Sequence, residues 1–209
     1  MLIATWNVNS IRTRLAQIID WINRVNPDIL CLQETKVTDD FFPVEPFEKL
    51  GYVVEVYGQK SYNGVAIISK IKGENIKKGF YDSTDSNKNI EIFQDQKRLI
   101  SADFNGIKII NVYVPNGSSI ESDKFEYKIN WLSCLASFLD DQEKKGELIC
   151  LMGDFNIAPS KLDGATLKSP IRQINFPFFS CSSKNVAKQF NQLILYSNLL
   201  DSKEDPFGT

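Results

Sequence analysis

Residues 98–114 read RLISADFNGIKIINVYV, two runs rich in branched apolar residues on either side of Asn105-Gly106. A two-residue connection of this kind favours a type I′ turn, which needs positive φ at both central positions and suits the twist of the flanking strands. The reading predicts an antiparallel hairpin of "RLISADF" and "IKIINVYV". Away from the hairpin the period changes. Downstream, Phe125, Ile129, Leu132, Ala136 and Leu139 recur at helical spacing, Gly146 is placed to end the helix, and "ELICLM" follows as a strand. Upstream, "YVVEVYG" and "GVAIIS" read as strands joined by the turn-rich "QKSYN". "LIATWNV" and "DILCL" read as strands around a helix carrying Ile11, Leu15, Ile18, Ile19, Ile22 and Val25, with Asn9 and Ser10 available to cap it and Pro27 to stop it. Strand-like and helix-like periods alternating in this way predict a mixed α/β fold, one domain over residues 1–209. Residues 164–185 show no sustained period and read as a long loop. Residues 186–200 read as a helix with Val186, Phe190, Leu193 and Ile194 on one face, and the last nine residues as a frayed end.

Composition narrows the chemistry. The chain has 209 residues, 43% apolar and 24% charged, enough for one sizeable core. The net charge of −2 gives no global basic field, so any nucleic-acid contact must rest on a local patch. The four cysteines form no CxxC pair, and Cys31 and Cys150 lie in apolar runs as small buried hydrophobes. Trp6 and Trp131 read as core. The N-terminal stretch lacks a signal-peptide pattern and no apolar run approaches bilayer length, so the expectation is a cytoplasmic protein without a membrane partner. Histidine is absent, which excludes serine–histidine and cysteine–histidine nucleophile schemes.

The polar residues at the strand ends form a chemical set. "TWNVNS", "LQETK", "NVYVPNG" and "MGDFN" each put an acid, amide or phenol where an apolar run stops, and strand ends are where α/β folds assemble sites. Any one of these groups alone is better explained as a turn former or helix cap. Together, Asn7, Glu34, Tyr113, Asp154 and Asn156 are all oxygen donors, a set suited to a hard cation such as Mg²⁺ shared with a phosphate. The chemistry this implies is phosphoryl transfer to water. Asp154 would orient or deprotonate the water, Glu34 hold the metal, Asn156 anchor a phosphate oxygen and Tyr113 donate to developing charge.

The stretches "WNVNSIR", "LQETKV", "GQKSYNGVAIISK", "NVYVPNG", "KFEYKINWL" and "GDFNIAPSKLD", in that order over residues 1–163, resemble the exonuclease III and abasic-site endonuclease family of the endonuclease/exonuclease/phosphatase superfamily. The resemblance implies a DNase I-like four-layer α/β sandwich, two packed mixed sheets flanked by helices. It also implies Mg²⁺-dependent hydrolysis of DNA phosphodiesters, with Mn²⁺ as the substitute, on double-stranded and abasic-site DNA by a monomer. Position by position it implies a metal site of Asn7, Glu34, Asp154 and Asn156 and catalytic roles for Tyr113, Asp154 and Asn156. Lys36, Tyr62, Asn63, Arg98 and Asn116 stand where such proteins contact DNA or support the site, and read equally as solvated surface residues.

The resemblance further implies a Trp–Asp–Tyr–Arg segment, an Arg–Asp–Leu-like strand and a terminal Ser–Asp–His box, whereas this chain ends at "LLDSKEDPFGT" and has no histidine. The expectation is therefore a fold lacking its C-terminal strands. A catalytically impaired remnant with weak DNA binding, or another phosphodiesterase or phosphatase of the superfamily, are the alternatives to a working repair nuclease.

Overall fold

Every residue of strand β2 (Ile29–Gln33) is buried, so "ILCLQ" is covered on both faces and reads as a continuous apolar run rather than an alternating one. What covers it defines the layers of this computed structural model, which describes residues 1–81, 92–93, 95–117 and 122–156. One side faces helix α1 (Ile11–Val25), through Leu30 and Leu32 against Ile11, Ile18, Trp21 and Ile22. The other, through Ile29 and Cys31, faces a second sheet that presents Ile100, Ala102, Phe104 and Ile109. Period-two alternation thus divides one strand between two apolar layers.

The first sheet runs in the order β1-β2-β4-β3, where β1 is Ile3–Asn7, β3 Val53–Tyr57 and β4 Val65–Ser69. A short helix, α2 (Glu45–Glu48), precedes β3 and buries Phe47. The second sheet runs β5-β6-β7-β8, with β5 Glu74–Lys78, β6 Leu99–Phe104, β7 Ile107–Tyr113 and β8 Leu148–Asp154. β1 pairs with β2 in parallel across α1, and β7 with β8 in parallel across α3 (Asp123–Lys144); the remaining pairings are antiparallel. Both sheets are therefore mixed and flanked by helices, as the resemblance implied. Among the described residues no helix is long and apolar enough to cross a membrane.

Local chemistry explains the boundaries. Ser10 caps α1 by accepting from Thr13, and Asn26 ends it in the left-handed region one residue before Pro27. Asn105 and Gly106 both have positive φ (52° and 79°), the turn expected for the hairpin, and β6 and β7 pair in register from Phe104↔Ile107 to Leu99↔Val112. Ser122 caps α3. The burial on α3 is carried by Trp131, Leu132, Leu135, Phe138 and Leu139, so its apolar face is broader than the predicted stripe, and Ile129 and Ala136 lie at its margins. Each fully buried side chain of this size contributes about 1.5–3 kcal/mol over leaving it in water. Trp6, Trp131 and Cys31 are core residues, and Cys150 is half-buried.

The predicted loop at 164–185, the helix at 186–200, the frayed end and the expected loss of C-terminal strands all lie outside the described residues.

Candidate functional site

The two parallel pairs, β1-β2 and β7-β8, end side by side. Register places Asn7 opposite Gln33, the last pair of one, and Tyr113 opposite Asp154, the last pair of the other. Four strand ends from two sheets therefore deliver Asn7, Glu34, Tyr113 and Asp154 to one place, the position where α/β sheets hold their ligands.

The Asn7 amide sits between the two acids. Its Nδ2 donates to Glu34 Oε1 and to Asp154 Oδ2, each at 2.7 Å, while its Oδ1 accepts from the Asn9 backbone N–H at 3.0 Å. Glu34 Oε2 meets the Lys36 ammonium at 2.9 Å, and that ammonium also donates to Asn9 Oδ1. The Tyr113 hydroxyl donates to Glu34 as well. Burial pushes the Glu34 carboxyl up, yet the hydrogen bonds from Asn7, Lys36 and Tyr113 outweigh it and leave the group below its ordinary value. Burial first, then the charge of Glu34, pushes the Tyr113 phenol up to about 12, against the opposing pull of Arg98. Tyr113 is thus a protonated donor at any ordinary pH.

Asp154 is held on its other oxygen by the Asn156 backbone N–H, 2.9 Å from Oδ1. Asn156 adopts a left-handed φ of 49°, sends its amide Nδ2 back to the Val114 carbonyl at 2.7 Å, and receives Lys128 Nζ on its own carbonyl at 2.9 Å. Gly153 has φ 145° and lies so close to β7 that a Cβ there would come within 1.9 Å of the Val112 carbonyl oxygen. No other residue fits there, which gives the glycine of "GDFN" a physical reason.

The surrounding loops carry unusual backbone. Ten described non-glycine residues have positive φ, and seven of them, Asn9, Ser10, Glu34, Lys36, Ser61, Asn63 and Asn156, belong to these strand ends or the loop beside them. Each such conformation costs about 1–3 kcal/mol for a residue with a Cβ, somewhat less for Asn, and persists only where the surroundings enforce it. Here they are enforced by a backbone lattice in which Ser10 donates to Glu34, Thr35 to Gly64, Lys36 to Asn63 and Ser61 to Lys36.

The remaining predicted residues divide. Arg98 stacks over the Tyr113 ring at 4.7 Å and donates to the Tyr113 carbonyl and to Gln96, so it is tied to the site through Tyr113. Asn63 reaches it only through the backbone bond to Lys36, its side chain being bonded to Gln59. Tyr62, 69% exposed, and Asn116, also exposed, stand at the surface. Sequence reasoning overlooked Asn9, Lys128, Gln33 and Asn111. Asn111 carries the clearest signal, an amide in the interior of β7, where amides are disfavoured, while Gln33 closes β2.

The donor set suits a hard cation, with two part-buried carboxylates and amide oxygens and no softer ligand, which matches the few carboxylates and many waters that Mg²⁺ accepts. Among the described residues no group of three or more acids, cysteines or histidines is arranged to hold a metal by protein ligands alone.

The model of the endonuclease/exonuclease/phosphatase family matches residues 4–194. An exodeoxyribonuclease III of Haemophilus influenzae is 38% identical over 165 residues, 76% of this chain, and the match spans 58% of that protein's own length. Among solved structures, an AP endonuclease from Archaeoglobus fulgidus superposes with a TM-score of 0.71 at 39% identity, covering 93% of this chain and 70% of the other. A 3′ phosphatase from Neisseria, bound to a product DNA hairpin, gives the same TM-score and coverage at 36% identity.

Proposed function

The chain belongs to the endonuclease/exonuclease/phosphatase family, and from that premise we propose that it is a divalent-metal-dependent nuclease that hydrolyses DNA phosphodiesters at abasic sites and at 3′ ends. The observation that carries the proposal is the Asn7 amide donating at 2.7 Å to two carboxylates from different sheets, with the Tyr113 phenol on one of them. Such a cluster concentrates negative charge where a fold would otherwise avoid it, and it suits a cation and a phosphate arriving together.

Glu34 and Asp154, with amide oxygen from Asn7 and Asn156, would hold Mg²⁺ or Mn²⁺. When bound, the ion supplies charge neutralisation on the phosphate oxygens and on the leaving alkoxide. Asp154 accepts a proton from the attacking water; its two oxygens are held by Asn7 and by the Asn156 backbone, which fixes the direction in which it accepts. Tyr113, protonated throughout the working pH range, would turn its single O–H from Glu34 to the charge that develops on the phosphate. Arg98 holds the Tyr113 ring by stacking over it. Lys36, now on Glu34, would turn its ammonium to a DNA phosphate, and Tyr62, Asn63 and Asn116 would meet the duplex beside it.

The test is incision of a 5′-labelled duplex carrying one abasic site, with Mg²⁺ and with chelator, beside an intact duplex with a recessed 3′ end. Metal-dependent incision at the abasic position is the expected result, with slower trimming of the 3′ end. A cooperatively melting sample that cuts neither substrate with Mg²⁺ or Mn²⁺ overturns the reading.

A further inference from the structure

The layer between the sheets is mostly apolar, and among the described residues two amides are buried within it. Gln33 and Asn111, 1% and 0% exposed, face each other there across the interface. Gln33 Nε2 donates to Asn111 Oδ1 at 2.7 Å and to Thr5 Oγ1 at 2.9 Å, with a longer contact to the Cys31 carbonyl. Asn111 Nδ2 donates to the carbonyls of Leu32 and Ala66, both at 2.9 Å. Asn111 belongs to β7 in the second sheet, and its three bonds join it to β2 and β4 of the first.

Placement gives the pair its meaning. Gln33 immediately precedes Glu34 and is the register partner of Asn7. Asn111 lies two residues before Tyr113, so both face the same side of β7, and its register neighbour Met152 lies two before Asp154. The pair is therefore one step beneath the point where Asn7 of the first sheet bonds Asp154 of the second. Apolar attraction is non-directional, whereas amide hydrogen bonds lose strength within a few tenths of an ångström and a few tens of degrees. Interdigitated side chains such as Ile29, Cys31, Val65, Ile67, Ile100 and Ile109 constrain the register sterically, and the amide bonds add a directional constraint at one point.

We propose that Gln33 and Asn111 are positioning residues, an inter-sheet amide clamp that sets the register in which Asn7 and Glu34 meet Tyr113 and Asp154. The inference deepens the nuclease reading and its kinetic arm rests on that reading. The alternative is that the amides merely satisfy each other in a core that would be as good without them. Replacing both by apolar residues separates the two, because the single variant strands the Gln33 amide whereas the double variant removes both side-chain amides and leaves only the Leu32 and Ala66 carbonyls and the Thr5 hydroxyl without these donors.

The experiment compares Asn111→Leu with the double variant Gln33→Met/Asn111→Leu in the full chain. Each is followed by a thermal melt, by kcat and KM on the abasic duplex with Mg²⁺, and by the NMR signal of the Asn7 side-chain amide in metal-free protein, identified by its loss in Asn7→Ala. The single variant melts several degrees lower and the double variant recovers part of that loss. In the double variant kcat nonetheless stays about tenfold to 10²-fold down, with KM changed less than about threefold, and the Asn7 amide signal collapses towards that of a solvated amide. Wild-type kcat together with an unchanged Asn7 signal in the double variant overturns the clamp. A wild-type chain that cuts no duplex fails the nuclease reading, and the Asn7 signal then decides the clamp by itself. Should the double variant not fold, Asn111→Ala, which removes all three inter-sheet bonds without adding bulk, is read by the same signals: a weakened Asn7 signal supports the clamp and an unchanged one overturns it.

Discussion

The two ends of strand β7 both carry charge at the edge of the core, and they handle it differently. At the first end, Lys108 is 5% exposed and lies 2.9 Å from Asp103 on β6 and 2.9 Å from Glu147 just before β8, the latter contact an ion pair rather than a directed hydrogen bond. One cation answers two acids there. At the last end, Tyr113 faces a cluster in which two acids share an amide between them and only Glu34 has a cation in contact. Seven of the ten described left-handed non-glycine residues gather at that end, whereas Asn105, with Gly106, serves the hairpin turn at the other. An ion pair that ties strand to strand is structure. A cluster of acids held by an amide, on backbone kept out of its preferred basins, is the pattern expected where stability has been given up for chemistry.

The largest effect expected on this contrast comes from Asp154→Asn. Incision of the abasic duplex should fall at least about 10³-fold, about 4 kcal/mol of barrier, while the melting temperature holds or rises because a negative charge leaves the cluster. A variant that instead retains turnover and unfolds early would make the site end as structural as the other. Lys108→Met should do the reverse. It leaves Asp103 and Glu147 without their cation, and with both acids partly solvated the cost should be about 2–3 kcal/mol, read as a lower urea midpoint. Turnover measured where the variant is folded should match wild type, and a loss there would dissolve the distinction between the two ends.

Tyr113→Phe should reduce kcat by about tenfold to 10²-fold with little change in melting near neutral pH. An absorbance titration sharpens it. The folded phenol titrates near 12 instead of the ordinary 10, so its protonated form is favoured by the fold. Its contribution to stability is complete below about pH 10 and is lost as pH rises from about 10 to about 12, and the variant should lack that component of alkaline unfolding. The smallest effect is expected from Lys36→Gln, a less than tenfold loss of DNA affinity with the salt slope reduced by about one. A slope that does not change would place the Lys36 ammonium on Glu34 alone.

Much of the fold was legible because most elements bury one face or both. The hairpin at Asn105-Gly106, the α1 stripe and the parallel strands all announce themselves through period and turn chemistry. Strand β5 did not. "ENIKK" is an edge strand with four of its five residues exposed and an irregular register between Glu74 and Lys77, so it carries no apolar alternation to detect. The four-residue α2 is too short for any period to show. In the site, Asn7, Glu34, Tyr113 and Asp154 were legible from residue type at strand ends. The stacking of Arg98 on Tyr113 and the bond from Lys128 to the Asn156 carbonyl were not, since they depend on which loops face each other.

By itself the sequence determined the α/β class, the strand-end acids and amides, the exclusion of histidine chemistry and the need for glycine and asparagine at tight turns, because each is a local or periodic property of the chain. Only the tertiary structure decided that β1-β2 and β7-β8 end at the same place, that one amide spans acids from both sheets, and that Gln33 meets Asn111 beneath them. Those facts join residues 78 and 147 positions apart in sequence. Two apolar faces can pack in many registers, and the choice among them belongs to steric interdigitation and directional contacts that exist only once the sheets have met.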